Sequence, residues 1–246
     1  MELAGGPVRK DLLSSCFPRR VIIMKISHWT GPGDELLVAA GGLVRLERLV
    51  ATVKGRGQRD SSFAAALHVL NNLSRKEGIP VAIVGGMAAI YHGYERFTKD
   101  IDIVVGRGHL DPLIRVAPHY GIKVIWQDPN GWHKLRYGSV DIEVVPEGGE
   151  PKNHSPTAIP AVERLGVRSG ARYASLEGWI QTKLASDRQL DRADVVQVLK
   201  KKPASTIRRI RSRLARIHRT YLCRFDELFA LAEEEMEQER KRGGPR

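Results

Sequence analysis

Residues 81–105, VAIVGGMAAIYHGYERFTKDIDIVV, decide the fold of this chain. The segment opens as a short apolar strand, runs into the glycine pair Gly85-Gly86 and continues with apolar residues at helical spacing. A polar loop then leads to a second apolar strand, in which Asp100 and Asp102 alternate with apolar residues. Because successive side chains of a strand point to opposite faces, the two carboxylates share one face. The segment therefore predicts a strand, a glycine turn, a helix and a strand with paired acids.

The glycine pair is typical of a turn that binds phosphate. Glycines after a strand let backbone N–H groups approach phosphate oxygens without obstruction by side chains. The N-terminus of the following helix adds a favourable dipole. The residues from Gly85 to Met87 fit this description, and they are candidates for binding a triphosphate.

The two aspartates are candidate ligands of Mg²⁺. Magnesium prefers octahedral oxygen ligands at about 2.0–2.1 Å and keeps some waters, so two carboxylates can hold it while phosphates complete the shell. A third carboxylate on an adjacent strand is normally wanted, to complete a metal site or to activate the attacking hydroxyl. Asp141 and Glu143 both alternate correctly in the strand predicted over residues 140–145. Asp141 is favoured, and Glu143 stays open.

Taken in order, these residues resemble the DNA polymerase beta-like nucleotidyltransferase superfamily. The glycine pair or the Asp-x-Asp alone is a weak signal, but the order strand, Gly-Gly, helix, Arg-x-Thr-x-Asp-x-Asp is specific. The chain looks closest to the AbiEii-type toxins of type IV toxin–antitoxin systems, which share these motifs and a later helical segment. Lys183-Leu184 and residues 188–194 are similar to that later segment. The resemblance covers residues 79–199.

The resemblance implies an α+β fold of the polymerase beta-like kind, with a mixed sheet, flanking helices and a C-terminal helical region. It implies an enzyme that moves a nucleoside monophosphate from a nucleoside triphosphate, such as ATP, to a hydroxyl, with Mg²⁺ as cofactor. It assigns Asp100, Asp102 and Asp141 to catalysis and metal binding, and Gly85, Gly86, Arg96, Thr98 and Lys183 to the nucleotide. Lys183 is interpreted equally well as a solvated helix lysine, and Asp191 and Asp194 as members of surface salt bridges.

The resemblance leaves the partners open. The acceptor is expected to be tRNA or a protein side chain, and a cognate antitoxin is a further expected partner. A modifier of small molecules such as aminoglycosides ranks second among enzymes. The alternative outside the enzymes is a catalytically inactive module of the same fold that binds nucleotide or RNA.

Composition bounds these functions. A net charge of +12 and a pI near 10.0 favour an anionic partner, nucleoside triphosphate or RNA, although biased codon usage explains an arginine-rich chain equally well. The two cysteines lie far apart and lack the spacing of a disulfide framework or a thiolate metal site. No apolar run approaches the roughly 20 residues that cross a bilayer, so we expect no membrane partner and a cytoplasmic location.

Changes in composition divide the chain into three regions. Residues 1–59 are expected to be a loosely ordered basic arm, and residues 60–150 the nucleotidyltransferase core. A segment rich in proline and glycine, residues 146–160, marks the boundary to a C-terminal helical region, residues 151–246. From Ser175 onward this last region is predicted to be helical throughout, with one long helical periodicity over residues 205–242.

Overall fold

The computed structural model describes residues 63–151 and 155–243. The predicted arm, residues 1–59, lies outside the described residues.

The described residues form six strands and seven α-helices, with two short 3₁₀ helices between them. The strands are β1 (Val81–Ile83), β2 (Asp100–Val105), β3 (Lys123–Gln127), β4 (His133–Tyr137), β5 (Val140–Pro146) and β6 (Ala171–Tyr173). The helices are α1 (Phe63–Lys76), α2 (Gly85–Tyr91), α3 (Arg107–Val116), α4 (Leu176–Ser186), α5 (Gln189–Leu199), α6 (Ala204–Ile217) and α7 (Arg219–Lys241). The 3₁₀ helices span Ala117–Tyr120 and Val162–Leu165.

The six strands make one mixed sheet in the order β3-β4-β5-β2-β1-β6. β2 is parallel to β5 and β1 is parallel to β6, whereas the β1–β2, β4–β5 and β3–β4 pairs are antiparallel. The predicted α+β class with a mixed sheet and flanking helices is therefore confirmed.

Apolar runs place β1 and β2 in the middle of the core. All three residues of β1 are buried, and β2 is buried throughout except at Asp100 and Asp102. Helix α1 buries Leu70 and Leu73 completely, at the i, i+3 spacing that puts both on one helix face. A buried strand that carries two acids at one end presents those acids at the edge of the core.

The C-terminal region also contributes a strand to the sheet, β6, just before the segment predicted to be helical from Ser175. This strand pairs in parallel with β1, Val81 opposite Ala171 and Ile83 opposite Tyr173. Three residues are too few to show a two-residue period, so the sequence carries no strand signal here. The sheet thus extends past the predicted boundary near residue 150, and the division into three regions stays a prediction.

The long helical segment predicted over residues 205–242 is two helices. The backbone of His218 is extended, with φ −164° and ψ 137°, and it separates α6 from α7. The His218 ring accepts a hydrogen bond from the N–H of Thr220 at 3.1 Å, which caps the start of α7. Helix α7 folds back on α6, and a forked ion pair joins Arg211 to Asp226 with both N···O distances at 2.8 Å.

Within the described ranges, none of the helices combines the length and the apolar character needed to cross a membrane.

Candidate functional site

The glycine pair and the two aspartates meet at one edge of the sheet. β1 runs toward the glycines and β2 starts from the aspartates, because the two strands are antiparallel with Ile83 opposite Ile103. The backbone N–H of Val84 donates to the carbonyl of Asp102 at 2.9 Å. The structure therefore brings the two motifs of residues 81–105 side by side.

Gly85 lies directly against the carboxylate of Asp102. A Cβ at Gly85 would stand 1.7 Å from Oδ2 of Asp102, and the φ of Gly85, +59°, is in the left-handed region. A Cβ at Gly86 would stand 2.6 Å from the hydroxyl oxygen of Thr98. Helix α2 begins at Gly85 itself, so this contact occurs in its first turn. The absence of a side chain at both glycines thus allows the turn to lie directly against β2 and the loop before it. Contact of the glycines with a triphosphate stays a prediction.

Thr98 orients the first aspartate. Its side chain is buried, and its hydroxyl lies 3.2 Å from Oδ1 of Asp100 and 3.3 Å from the Asp100 carbonyl. A buried hydroxyl that already hydrogen-bonds to a neighbouring carboxylate has a partner without any ligand. The structure therefore gives Thr98 a role in positioning Asp100.

The second aspartate has an altered acidity. The pKa of the Asp102 carboxyl is raised from 3.8 to about 6, first by burial and then by the negative charges of Asp100 and Glu143. The positive charges of Lys183 and Arg188 act in the opposite direction. A buried carboxyl whose pKa is raised by neighbouring carboxylates marks a site that favours a cation.

The two candidates for the third acid have different surroundings. In the parallel β2–β5 register, Asp141 is opposite Asp100 and Glu143 is opposite Asp102. The Nε of Arg136 donates to Asp141 at 2.6 Å, and this hydrogen bond lowers the Asp141 pKa. Lys134 lies 3.1 Å from the other carboxylate oxygen of Asp141.

Glu143 is more exposed than Asp141 and has weaker contacts with cations. Its side chain is exposed, and its nearest cation is Lys134 at 3.9 Å, the limit of an ion pair. The negative charge of Glu143 also contributes to the raised pKa of Asp102. Across the described residues, no three His, Cys, Asp or Glu side chains are already arranged around one metal position.

Lys183 is the centre of a buried charge network rather than a solvated lysine. Its ammonium donates to Asp191 at 2.6 Å and to Asp194 at 2.7 Å. The lysine side chain is 6% exposed, and the two aspartates are 1% and 0% exposed. The interpretation of Asp191 and Asp194 as surface residues is therefore wrong, because α4 and α5 pack with these charges between them.

Arg96 and Arg188 join the same network from outside. Arg96 donates to Asp194 at 2.8 Å, which ties the loop before β2 to helix α5. Arg188 donates to Asp191 at 2.7 Å while its own side chain stays 70% exposed. Burial raises the pKa of Asp191, but the hydrogen bond from Arg188 and the charge of Lys183 outweigh it and lower the pKa to about 2.

Trp179 connects this network to the glycine turn, a contact that the sequence did not reveal. Its side chain is fully buried, and its indole N–H donates to the carbonyl of Gly85 at 3.0 Å. Lys183, one helical turn later, lies 5.9 Å from the centre of the Trp179 ring. The sequence shows only that Trp179 and Lys183 are four residues apart on one predicted helix. This spacing does not identify the partner of the indole.

Similarity of this chain to known proteins is low. No protein-family model matches it, and no curated protein does. A crystal structure of ANT(2'')-Ia in complex with adenylyl-2''-tobramycin matches with 15% identity and a TM-score of 0.37, over 70% of this chain and 97% of that chain. A solution structure of the antibiotic-resistance factor ANT(2'')-Ia matches with 15% identity and a TM-score of 0.37, over 72% and 95% of the two chains. Values this low do not carry the activity of that factor over to this chain.

Proposed function

We propose that this chain is a magnesium-dependent nucleotidyltransferase, which moves a nucleoside monophosphate from a nucleoside triphosphate to a hydroxyl. The observation that carries the proposal is the approach of Gly85 to the carboxylate of Asp102, at the sheet edge where the Asp100–Asp102 pair faces the acids of β5. The order of the motifs in residues 81–105, and the resemblance that rests on it, support the same chemistry.

In the proposed reaction the acceptor oxygen attacks the α-phosphorus of the triphosphate. A bond forms between that oxygen and the α-phosphorus, the bond from the α-phosphorus to the bridging oxygen breaks, and pyrophosphate leaves with the bonding electrons. The proton of the acceptor hydroxyl passes to a carboxylate. Transfer of this kind depends mainly on positioning and on stabilisation of the developing charge.

The carboxylates of Asp100 and Asp102 fit Mg²⁺. Burial and neighbouring negative charges disfavour the ionised form of Asp102, and a bound dication relieves that repulsion. Two carboxylates leave positions in an octahedral shell for water and phosphate oxygens. When bound, the ion supplies positive charge against the phosphates of the donor.

Glu143 is our choice for the third acid. Asp141 is held by Arg136 and Lys134, and its lowered pKa makes it a weaker acceptor of a proton. Glu143 is exposed, lies opposite Asp102 and is within reach of its charge. A free carboxylate beside the metal ligands can take the proton of the acceptor hydroxyl.

Arg188 is the better placed cation for the triphosphate. Lys183 is buried and already donates to two carboxylates, so it has little capacity for a phosphate. Arg188 is mostly exposed, and its charge acts on both Asp102 and Glu143. An arginine fork next to the acids can bind phosphate oxygens with the donors that Asp191 does not occupy.

The proposal is tested by incubating the purified protein with each α-labelled nucleoside triphosphate, Mg²⁺ and total tRNA. We expect label to move to RNA or to protein, and to be lost in the Asp100→Asn, Asp102→Asn double variant and in Glu143→Gln. Asp111→Asn, an exposed aspartate on α3, is the matched control and keeps full activity.

Three results would contradict parts of this proposal. Absence of transfer with intact triphosphate binding would favour the inactive binding module. Activity that survives in Glu143→Gln and is lost in Asp141→Asn would return the third acid to Asp141. RNA binding that needs neither Mg²⁺ nor the two aspartates would assign the chain to nucleic-acid-binding proteins without transferase activity.

The toxin–antitoxin setting and the cognate antitoxin rest on the resemblance alone. They predict that expression of the wild type arrests bacterial growth and that the Asp100→Asn, Asp102→Asn variant does not. Growth that is equal for the two would remove the toxin from the proposal and leave the transferase to be judged by its own assay.

A further inference from the structure

A recess at the opposite end of the strands from the aspartates is lined by three arginines. It has a volume of about 360 Å³ and lies where β1 and β6 begin, next to Pro80 and Ala171. Its arginines are Arg75, Arg168 and Arg172, and neither aspartate nor glutamate is among its lining residues. We call it the arginine recess.

The walls of the arginine recess are fixed by hydrogen bonds that two backbone N–H groups donate. The N–H of Val81 donates to the carbonyl of Gly170 at 3.1 Å, and the N–H of Ala171 donates to the side-chain oxygen of Asn71 at 3.3 Å. Asn71 lines the recess and uses its side-chain oxygen for this bond, which leaves its amide N–H₂ as a donor. The recess thus presents donors on a rigid frame.

Two of the recess arginines, Arg75 and Arg168, are in excess over what local structure needs. Arg75 lies in the last turn of α1, where one cation is favoured by the helix dipole. That argument does not extend to Arg168, which precedes β6. Neither Arg75 nor Arg168 forms an ion pair with any residue in the ranges 63–151 and 155–243. Like charges that line a recess with no aspartate or glutamate in its lining favour a bound anion.

We infer that the arginine recess binds the phosphate group of a small molecule. Guanidinium forks match the oxygens of phosphate in geometry, and several of them match its multiple charge. The volume falls in the range of pockets that enclose small ligands, roughly 300–1,000 Å³, rather than that of an extended groove for a nucleic-acid strand. The site is separate from the proposed transferase site, and the inference does not depend on that proposal.

The test is calorimetric titration of the full chain with pyrophosphate, in EDTA and at low salt, so that sites requiring metal stay silent. We expect the Arg75→Gln, Arg168→Gln double variant to bind roughly tenfold or more weakly than the wild type. The matched control is Arg115→Gln, Arg208→Gln, which removes the same charge from two exposed arginines elsewhere and keeps wild-type affinity. Equal weakening in both variants, or no binding to the wild type at millimolar pyrophosphate, would overturn the inference.

Two further measurements keep the result independent of variant folding and of ligand source. Phenylglyoxal modification of the wild type, read by mass spectrometry, should be slowed at Arg75 and Arg168 by pyrophosphate and unchanged at Arg115. Lack of protection contradicts the site. Affinity for a short single-stranded RNA should be equal in the two double variants; a tenfold loss confined to Arg75→Gln, Arg168→Gln would mean that the phosphate comes from nucleic acid and not from a small molecule.

Discussion

Gly85 is the residue at which the site tolerates least change. A methyl group at this position would overlap the carboxylate of Asp102, and the backbone has a positive φ that alanine adopts at a cost. We expect Gly85→Ala to lower stability by about 2–4 kcal/mol and to abolish transfer by displacing Asp102. Urea unfolding and the labelling assay measure the two effects. Gly108→Ala in α3, where a Cβ meets nothing within 4 Å, is the control and should be neutral or slightly stabilising.

Whereas Gly85→Ala should lower both stability and activity, a substitution of Asp102 should raise stability and abolish activity. Its folded pKa, about 6, exceeds its unfolded value of 3.8, so its contribution to stability is greatest below pH 3.8 and declines as the pH rises through 6. At pH 8 without metal, Asp102→Asn should therefore raise the free energy of unfolding by up to about 3 kcal/mol while eliminating transfer. The gain should disappear near pH 4. Mg²⁺ should stabilise the wild type and not the variant; an Asp102→Asn protein that is less stable at pH 8 contradicts this account.

At the scale of elements, helices α4 and α5 are joined by the charges of Lys183, Asp191 and Asp194. Removing the lysine leaves two buried carboxylates with less compensation, so Lys183→Met should cost about 3–5 kcal/mol in urea unfolding. Lys200→Met, which removes ion pairs to the more exposed Glu235 and Glu239, should cost about 1 kcal/mol or less. If Lys183→Met keeps its stability and loses only transfer, the lysine acts on the nucleotide.

The elements that the sequence predicted are those with a strong period or a strong local signal. The glycine turn and the alternation of Asp100 and Asp102 could be predicted because each depends on residues that are close together in the sequence. Burial of Asp191 and Asp194 could not be predicted, because a charged residue on a helix is expected to be exposed unless its partner is known. The contact of Trp179 with Gly85 and the pairing of β6 with β1 join residues about 90 apart, and no local pattern encodes them.

The same long-range contacts decide how much of the molecule folds as one unit. The sequence places a boundary near residue 150, yet the strand that covers one edge of β1 and the indole that binds the glycine turn both come after it. A fragment that ends at residue 150 would leave the edge of β1 unpaired and expose the apolar surface that buries Trp179. We therefore expect this fragment to be largely unfolded by circular dichroism, and the full chain to unfold in one cooperative transition that includes Trp179 fluorescence. A fragment ending at residue 187, which retains β6 and α4 but lacks the partners of Lys183, is the informative intermediate: it should regain the sheet with reduced stability. Cooperative folding of the 150-residue fragment would instead mean that the core is an autonomous domain and that β6 and Trp179 only dock onto it.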